Sequence, residues 1–319
     1  MVPLPTLQLT QWALPEPLLA SPWGPLLQQG MQAALAAGNL HRHYYEGLLT
    51  IEHKSSAIDL VTTADKAADA AIIEILSQPC LTPQGVQAKI ITEETYTVGQ
   101  EADMACTWIV DPLDGTTNFA HGFPFFAVSI GLVVDNVATV GMVFDALREE
   151  WFVGIVGVGA YLINAHGYRA LNLTESVPLE QALLGTGFSY QIKDFMATGD
   201  RRSNLQNVGT FLQRCHGVRR AGAAALDLAY VAAGRLDGFW EYTLAPWDVA
   251  GAAALIVAAG GTIRLLEGEP LSFQQRQLNV IAGPAALVAA MSESITPWQE
   301  HVGAPLPPAV THTPHTAHA

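Results

Sequence analysis

Two aspartates three residues apart, Asp111 and Asp114, lie beside a predicted turn in the stretch of residues 108–126. Residues 108–110 are aromatic and β-branched, which is typical of a buried strand, and the Asp-Pro sequence at Asp111 is expected to end that strand. The Gly-Thr-Thr sequence after Asp114 supplies backbone N–H groups and hydroxyls at a predicted helix start, where phosphate binds well. Because carboxylate oxygens bind hard cations, the combination indicates metal-assisted phosphoryl transfer, with an ordinary Asp-Pro and Asp-Gly turn as the alternative.

The composition is that of a globular protein with a strong negative charge. The 319 residues are 50% apolar and the formal net charge at pH 7 is −14, which allows a sizeable core in one large or two ordinary domains. Nucleic acids and anionic membranes bind clustered lysine and arginine, of which the chain has only 15, so neither is an expected partner. An anionic substrate would need bound cations as intermediaries.

The cysteines and the short apolar runs favour a cytoplasmic location. Cys80, Cys106 and Cys215 are odd in number and lack Cys-x-x-Cys spacing, which favours reduced thiols over disulfides or a zinc site. The apolar runs at 151–163 and 249–261 are shorter than the roughly 20 residues that span a bilayer. The N-terminus lacks the basic start and continuous apolar centre of a secretory signal.

The first half of the chain has the periodicity of two helices followed by a β-meander. Helices are predicted at 25–37, ended by Gly38, and after Thr62 or Thr63, the expected N-cap. A short strand is predicted at 89–91. Four β-rich segments separated by short turns then predict an antiparallel meander: they are 127–134, 137–144, 150–155 and 159–163.

In the second half, predicted strands alternate with predicted helices. The predicted strands are 182–187, 236–241, 262–266 and 278–282. The predicted helices are 194–215, 217–233, 245–259 and 284–291.

The chain is expected to consist of three parts. Residues 1–23 form an N-terminal extension, packed on the surface or partly disordered. Residues 24–300 form the folded domain, with subregions at about 24–180 and 181–300. Residues 301–319 form a tail of Pro, Thr, Ala and His that has too few large apolar residues to fold, so it is predicted to be disordered.

Further acidic residues stand at the ends of predicted elements. Asp65 follows a predicted helix start, and Asp248 opens another helix beside Trp247. Glu93 and Glu94 follow the strand predicted at 89–91. A single acid at a helix start commonly complements the helix dipole, and paired acids after a strand are commonly solvated. The order of these acids along the chain, taken together with Asp111 and Asp114, nevertheless forms a recognisable sequence pattern.

This pattern, with Lys54 and Asp59 upstream, resembles the inositol monophosphatase family of metal-dependent phosphatases. The resemblance covers residues 26–291 and includes two signature stretches, 108–117 and 247–252. It implies an α+β fold, an αβαβα layered sandwich, in which acids distant in sequence converge on one cleft. Two carboxylates about 4 Å apart repel by roughly 4 kcal/mol at a protein surface, so such a cluster requires cations or raised pKa values.

The resemblance implies two to three Mg²⁺ ions, which suit oxygen ligands and retain waters. Glu93, Asp111 and the backbone carbonyl of Leu113 would hold the first ion. Asp111, Asp114 and Asp248 would hold the second, so that Asp111 bridges the two ions.

The catalytic water is implied to lie near Asp65 and Thr116, which would orient and deprotonate it as a general-base pair. Glu93 would act in catalysis by sharing a weaker third ion. Lys54, on a mobile loop, and Glu94 would lie near that ion.

The substrate is implied to bind through its phosphate and its alcohol separately. The Gly115 and Thr116 amides would hold the phosphate oxygens. The helix start at Ala224 and the carboxylate of Glu241 would contact sugar or inositol hydroxyls. The sequence departs from the commonest family pattern in having Thr92 where glycine usually precedes the glutamate pair.

Inositol-1-phosphate is the first expected substrate, with histidinol phosphate and fructose-1,6-bisphosphate as alternatives within the family. A haloacid-dehalogenase mechanism is disfavoured, because its two aspartates are one residue closer together than Asp111 and Asp114. A regulatory protein that kept the fold without the chemistry is the alternative from another class. Inhibition by lithium and a homodimer are further expectations from the resemblance.

Overall fold

The computed structural model of the chain describes residues 4–45, 47, 51–53 and 60–295. Lys54, Asp59 and the predicted tail at 301–319 lie outside the described residues. The described part contains two extended β-sheets with helices between them and on their outer faces.

The first half of the described chain contains the following elements: α1 (Glu16–Ala20), α2 (Gly24–Tyr44), β1 (Ile51–His53), β2 (Leu60–Thr62), α3 (Thr63–Leu76), β3 (Lys89–Thr92), β4 (Cys106–Asp114), α4 (Thr116–Ala120), β5 (Ala127–Val134), β6 (Val137–Asp145), β7 (Glu150–Ile155), β8 (Gly159–Asn164) and β9 (Gly167–Ala170). Strands β3 to β9 form one sheet in sequence order. The β3–β4 pair is parallel and the other pairs are antiparallel. The predicted meander is confirmed.

The second half contains the following elements: β10 (Leu183–Thr186), α5 (Ile192–Thr198), α6 (Leu205–Leu212), β11 (Gly217–Arg219), α7 (Ala224–Ala232), β12 (Gly238–Leu244), α8 (Pro246–Ala258), β13 (Thr262–Leu265), β14 (Leu278–Gly283) and α9 (Ala285–Ser294). The strands form a second sheet in the order β11, β10, β12, β14, β13. Because β10 pairs in parallel with both β11 and β12 whereas β14 runs antiparallel to its neighbours, this sheet is mixed.

The core lies in layers on the faces of the two sheets. Side chains alternate along β4, so that Trp108 packs with α2 and α3 while Ile109 packs with α7 and α8 on the opposite face. The same two helices cover one face of the second sheet through Phe239. Phe211 of α6 and Leu287 of α9 pack on its outer face. The order is helix, sheet, helix, sheet, helix, which confirms the predicted αβαβα sandwich.

The first helix is longer than the predicted range of 25–37. Gly38 was expected to end it, but α2 continues to Tyr44. A Cβ atom at Gly38 would lie 2.5 Å from Cε1 of Phe144, so this glycine allows the helix to approach the sheet and does not terminate it.

The predicted helix at 194–215 is wrong, because the segment is divided into α5 and α6. Gly199 and Asn204 both have left-handed backbone conformations, with φ of 69° and 61°. The Asn204 side chain donates to the hydroxyl of Thr186 at 2.8 Å, and the indole of Trp240 donates to its Oδ1 at 2.6 Å. A buried hydrogen-bond network therefore breaks the helix. The predicted helix at 217–233 also starts late, since its first three residues form β11.

The N-terminal segment contributes to the core. Leu7, Trp12 and Leu18 are each at most 5% exposed. The Trp12 ring makes edge contacts with Phe144 and Trp151, at centroid distances of 6.0 and 5.7 Å. These residues lie deeper than a segment resting on the surface would.

The cysteines and helices of the described chain agree with a packed globular domain. Cys106 is buried, and Cys80 and Cys215 are half-buried as free thiols. Burial raises the pKa of each thiol. Among the described helices, none combines the length and the apolar character needed to cross a bilayer.

Candidate active site

The two central aspartates lie on one strand, which is longer than the sequence indicated. Asp111 was predicted to end the strand at an Asp-Pro turn, but β4 continues to Asp114. Asp111 pairs with Ser129 and Asp114 with Ala127, so three steps on β4 face two steps on β5. Side chains three positions apart on a regular strand point to opposite faces of the sheet. The extra residue in this bulge allows Asp111 and Asp114 to point to the same side. Pro112, which has no N–H group, lies in the bulge.

Glu93 reaches the same edge of the sheet from the neighbouring strand. Strand β3 runs parallel to β4, with Thr92 opposite Val110. The backbone N–H of Glu93 donates to the carbonyl of Val110 at 3.1 Å. The carboxyl ends of parallel strands meet at one edge, so Glu93 follows β3 beside Asp111. The buried hydroxyl of Thr92, the position that departs from the family pattern, accepts from the Thr95 amide at 3.2 Å and supports this turn.

Asp248 belongs to the first turn of α8, which lies close to the seven-stranded sheet because of glycines. A Cβ atom at Gly131 would lie 2.5 Å from the carbonyl carbon of Ala250, and one at Gly141 would overlap the carbonyl oxygen of Gly251. The helix backbone therefore lies directly against the strands. At the N-terminus of the helix, the Ala245 amide donates to Oδ2 of Asp248 at 2.7 Å.

The structure brings three of the predicted metal ligands together. Asp111, Asp114 and Asp248 offer carboxylate oxygens that all lie within 4.8 Å of one another. Glu93 lines the same cleft, of about 400 Å³. Burial raises the pKa of Asp114 to about 7, and the charge of Glu93 adds to the shift. A donor set made only of oxygen and carrying excess negative charge fits a hard cation such as Mg²⁺.

Asp114 also caps the helix that carries Ala224. Its Oδ1 accepts from the Ala224 amide at 3.1 Å, and its Oδ2 accepts from the amides of Ala225 and Leu226 at 2.8 and 3.3 Å. These bonds fix the carboxylate and use the Ala224 N–H group that a substrate would otherwise meet. Ala224 still lines the adjacent cavity.

Asp65 and Thr116, the residues predicted to act as a general-base pair, are in contact in the structure. Oδ1 of Asp65 lies 2.8 Å from the hydroxyl oxygen of Thr116, and its Oδ2 accepts from the Thr62 amide at 2.8 Å. Thr62 is the N-cap of α3, as predicted. Burial raises the pKa of Asp65, and the charge of Glu94 raises it further. The Thr116 hydroxyl also lies 3.1 Å from the carbonyl oxygen of Leu113, so its single proton serves one acceptor at a time.

Gly115 turns the chain from β4 into the five-residue helix α4. Its φ of 94° is left-handed, and a Cβ atom there would lie 3.0 Å from the carbonyl oxygen of Phe125. Only glycine adopts this conformation without strain. Gly115 lines the same cleft as Asp111 and Asp114.

A second cavity, of about 300 Å³, adjoins the carboxylates on the side of Glu241. Asp227 of α7 lines it but was missed by the sequence predictions, because an acid in an alanine-rich helix carries no motif. Asp227 is 2% exposed and Glu241 is 9% exposed. Burial raises the pKa of both well above the ordinary values, and the nearby Arg220 opposes the shift. The cavity therefore offers carboxyl groups and a guanidinium to a polar ligand.

Comparison with known proteins agrees with this geometry. The family described as the inositol monophosphatase family matches residues 23–296. The inositol-1-monophosphatase of Synechocystis sp. is 35% identical over 285 residues, which cover 87% of this chain and 92% of the relative. The Nus factor SuhB of Escherichia coli is 39% identical over 270 residues, which cover 84% and 94%. The extragenic suppressor protein suhB of Bartonella henselae has a similar crystal structure, with a TM-score of 0.72, 33% identity and coverage of 85% and 98%. The chain belongs to the inositol monophosphatase family.

Proposed function

We propose that the protein is a Mg²⁺-dependent phosphatase that hydrolyses a small phosphate monoester, most readily inositol-1-phosphate. The observation that carries the proposal is the convergence of Asp111, Asp114 and Asp248, whose oxygens lie within 4.8 Å although Asp111 and Asp248 are 137 positions apart in the sequence. A protein that kept only the fold would have no need to hold three carboxylates so close together.

The acidic cleft fits two to three Mg²⁺ ions. Asp111, Asp114 and Asp248 would hold one ion, and Glu93, Asp111 and the Leu113 carbonyl another. When bound, the ions would supply the positive charge that polarises the ester and lowers the pKa of water. A third ion near Glu93 and Glu94 is part of the proposal.

Asp65 and Thr116 hold and move the proton of the attacking water in this proposal. When the Thr116 hydroxyl donates to Asp65 or to Leu113, its oxygen lone pairs are free to accept from a water. The raised pKa of Asp65 brings the carboxylate closer to the range in which it can accept a proton. The left-handed Gly115 leaves the first amides of α4 available to phosphate oxygens.

The polar cavity beside the cleft supports a polyol as the alcohol group. Asp227 and Glu241 are acceptors for hydroxyl groups, and Arg220 is a donor. The relative named inositol-1-monophosphatase makes inositol-1-phosphate the first substrate to test. Histidinol phosphate and fructose-1,6-bisphosphate are the alternatives.

The test is phosphate release by the purified protein from inositol-1-phosphate, histidinol phosphate and fructose-1,6-bisphosphate, with and without Mg²⁺. Inositol-1-phosphate is expected to be the fastest, and Asp111→Asn should lower its rate by at least a hundredfold while the protein stays folded by circular dichroism. Li⁺ should inhibit. Release that is unaffected by Mg²⁺ or by Asp111→Asn would contradict the proposal.

A regulatory role is the second candidate, because the relatives at 39% identity are named Nus factor SuhB. Absence of phosphate release from every ester in a Mg²⁺-loaded, folded protein would favour it. A homodimer and a cytoplasmic location are also proposed. Sedimentation velocity would test the first and cell fractionation the second.

A further inference from the structure

A cavity of about 790 Å³ opens beside the acidic cleft and has no part in the proposed chemistry so far. We call it the aromatic cavity, and its defining residues are Tyr96, Met104, Thr243, Trp247 and Arg276. Half of its wall is shared with the cleft that contains Asp111 and Asp248. The aromatic cavity therefore adjoins the place where a phosphate ester would bind.

The wall between the two spaces is aromatic. The rings of Tyr96 and Trp247 lie 5.2 Å apart between centroids, at an angle of 56°. The floor is formed by buried apolar side chains, Ile91, Met104 and Ile109. A space of this size with apolar and aromatic walls is typical of a site for a small organic molecule. Neighbouring rings favour a planar aromatic ligand, which can stack on them or meet their edges.

The rim carries a positive charge in a strongly acidic protein. Arg276 is exposed, and its guanidinium lies 5.9 Å from the centroid of the Tyr96 ring. Glu101 also lines the cavity and accepts from the Tyr96 hydroxyl at 2.6 Å. The hydrogen bond from Tyr96 and the charge of Arg276 help to lower the pKa of Glu101, but among the described residues no carboxylate forms a close ion pair with Arg276. A guanidinium in this position favours a ligand with a carboxylate or a phosphate at its distal end.

The shared wall also contains a strained residue. Thr243 has a φ of 61° in the irregular part of β12, where the register with β14 shifts. A β-branched residue adopts this conformation at an energetic cost, and such outliers concentrate at ligand sites. The Thr243 amide donates to the Asn279 side chain at 3.1 Å, which fixes the strained wall in place.

We propose that the aromatic cavity binds the ring of aryl phosphate monoesters that carry a second anionic group, which makes these esters a second substrate class of the enzyme. The ring lies against Tyr96 and Trp247, and its anionic group pairs with Arg276. Hydrolysis is the same reaction as for a polyol ester. The bond from phosphorus to the aryl oxygen breaks, water oxygen forms the new bond, and the aryl oxygen takes a proton from that water. The substrate class rests on the proposed function, but binding in the cavity does not.

Binding can be measured without catalysis. The probe is 6-hydroxy-2-naphthoate, the product of the corresponding phosphate ester, and its fluorescence is titrated with metal-free protein. We expect saturable binding that weakens about three- to tenfold in Arg276→Gln, as for a partly exposed charge-assisted pair. Met104→Trp fills the cavity and should abolish binding. Gln275→Ala, an exposed neighbour outside the cavity wall, is the matched control and should bind normally.

Kinetics then separate the two proposals. With 6-carboxy-2-naphthyl phosphate as substrate, Arg276→Gln and Met104→Trp should raise KM, whereas kcat/KM for inositol-1-phosphate should remain within twofold of the parent protein. If inositol-1-phosphate is hydrolysed but the naphthoate does not bind, or binds equally to all variants, the cavity proposal is overturned. If the naphthoate binds as expected but no ester is hydrolysed, the proposed function fails and the cavity remains as a binding site.

Discussion

The Nε2 atom of His41 lies 2.9 Å from the carbonyl oxygen of Pro112, the residue that follows Asp111. His41 is fully buried on α2, and burial lowers its pKa to about 4, so the ring is neutral at pH 7. A neutral ring can pair with a carbonyl only by donating, so the proton is on Nε2. This bond connects the first long helix to the bulge of β4 between the two aspartates.

Replacement of His41 should therefore weaken Mg²⁺ binding more than it weakens the fold. His41→Leu leaves the Pro112 carbonyl without its donor, and the bulge can relax. We expect Mg²⁺ affinity, measured by isothermal titration calorimetry, to fall about three- to tenfold. His41→Gln retains an N–H donor and should recover part of the affinity. His43→Leu, an exposed residue on the same helix, is the control, and an equal loss there would contradict the role of His41.

Removal of the Thr116 hydroxyl or the Asp65 charge should lower turnover with little change in KM. Thr116→Val removes the 2.8 Å hydrogen bond between the two side chains, and Asp65→Asn removes the carboxylate that can accept a proton. General-base catalysis contributes about 10²- to 10⁴-fold, so losses in kcat of that order are expected. Steady-state kinetics with inositol-1-phosphate provide the measurement. Thr139→Val, whose hydroxyl contacts only the carbonyl of Val137 among the described residues, should have no effect.

The metal-free protein should lose stability as the pH rises. The folded-state pKa of Asp114 is about 7, above its ordinary value of 3.8. Between pH 3.8 and pH 7, Asp114 is therefore protonated in the folded state but ionised in the unfolded state. The stability that this proton contributes is lost as the pH rises through 7. In chelator, Tm should fall from pH 5 to pH 8, and by less in Asp114→Asn. Equal falls in both proteins would contradict this assignment.

Mg²⁺ should reverse this loss, because the ion binds the ionised carboxylate. At pH 8, saturating Mg²⁺ should raise Tm in the parent protein and raise it less in Asp114→Asn. Differential scanning calorimetry gives both values. A Tm that is independent of Mg²⁺ at pH 8 would show that the cluster does not hold the ion.

Gly141→Ala should destabilise the protein because it forces α8 away from the sheet. The new Cβ atom would overlap the carbonyl oxygen of Gly251, and overpacking of this kind costs about 1 to 3 kcal/mol or more. Urea unfolding measures the change, and activity should fall because Asp248 moves with the helix. Gly209→Ala is the matched control, since a Cβ atom there would meet nothing within 4 Å. In helix α6 this change should be neutral or slightly stabilising.

Patterns within short stretches were sufficient for most of the elements. The segments of β5 to β8 predict strands directly, because each is a short run rich in β-branched and other apolar residues and is separated from the next by a short turn. The cap at Thr62 follows from local hydrogen bonding in the same way. The local patterns gave wrong predictions where distant contacts decided the structure. Gly38 packs against Phe144 inside a helix that it was expected to end, and Asn204 hydrogen-bonds with Trp240 where a continuous helix was predicted.

The candidate site likewise contains residues that the sequence indicated and residues that only the structure revealed. The order and residue types of Glu93, Asp111, Asp114 and Asp248 resemble the pattern of the family, and this resemblance indicated a divalent-cation site. Asp227 and the aromatic cavity carried no such signal, because a lone acid in an apolar helix and a turn-rich loop have many structural explanations. Their significance arises only from what lies next to them.

The sequence by itself determined the chemistry, because side-chain type fixes which atoms can bind a cation or accept a proton. Only the tertiary structure decided the geometry. The bulge that brings Asp111 and Asp114 together depends on pairing with β5, and the place of Asp248 depends on contacts between glycines far apart in the chain. Strand register and helix approach are set by packing between elements, which no short stretch of sequence contains.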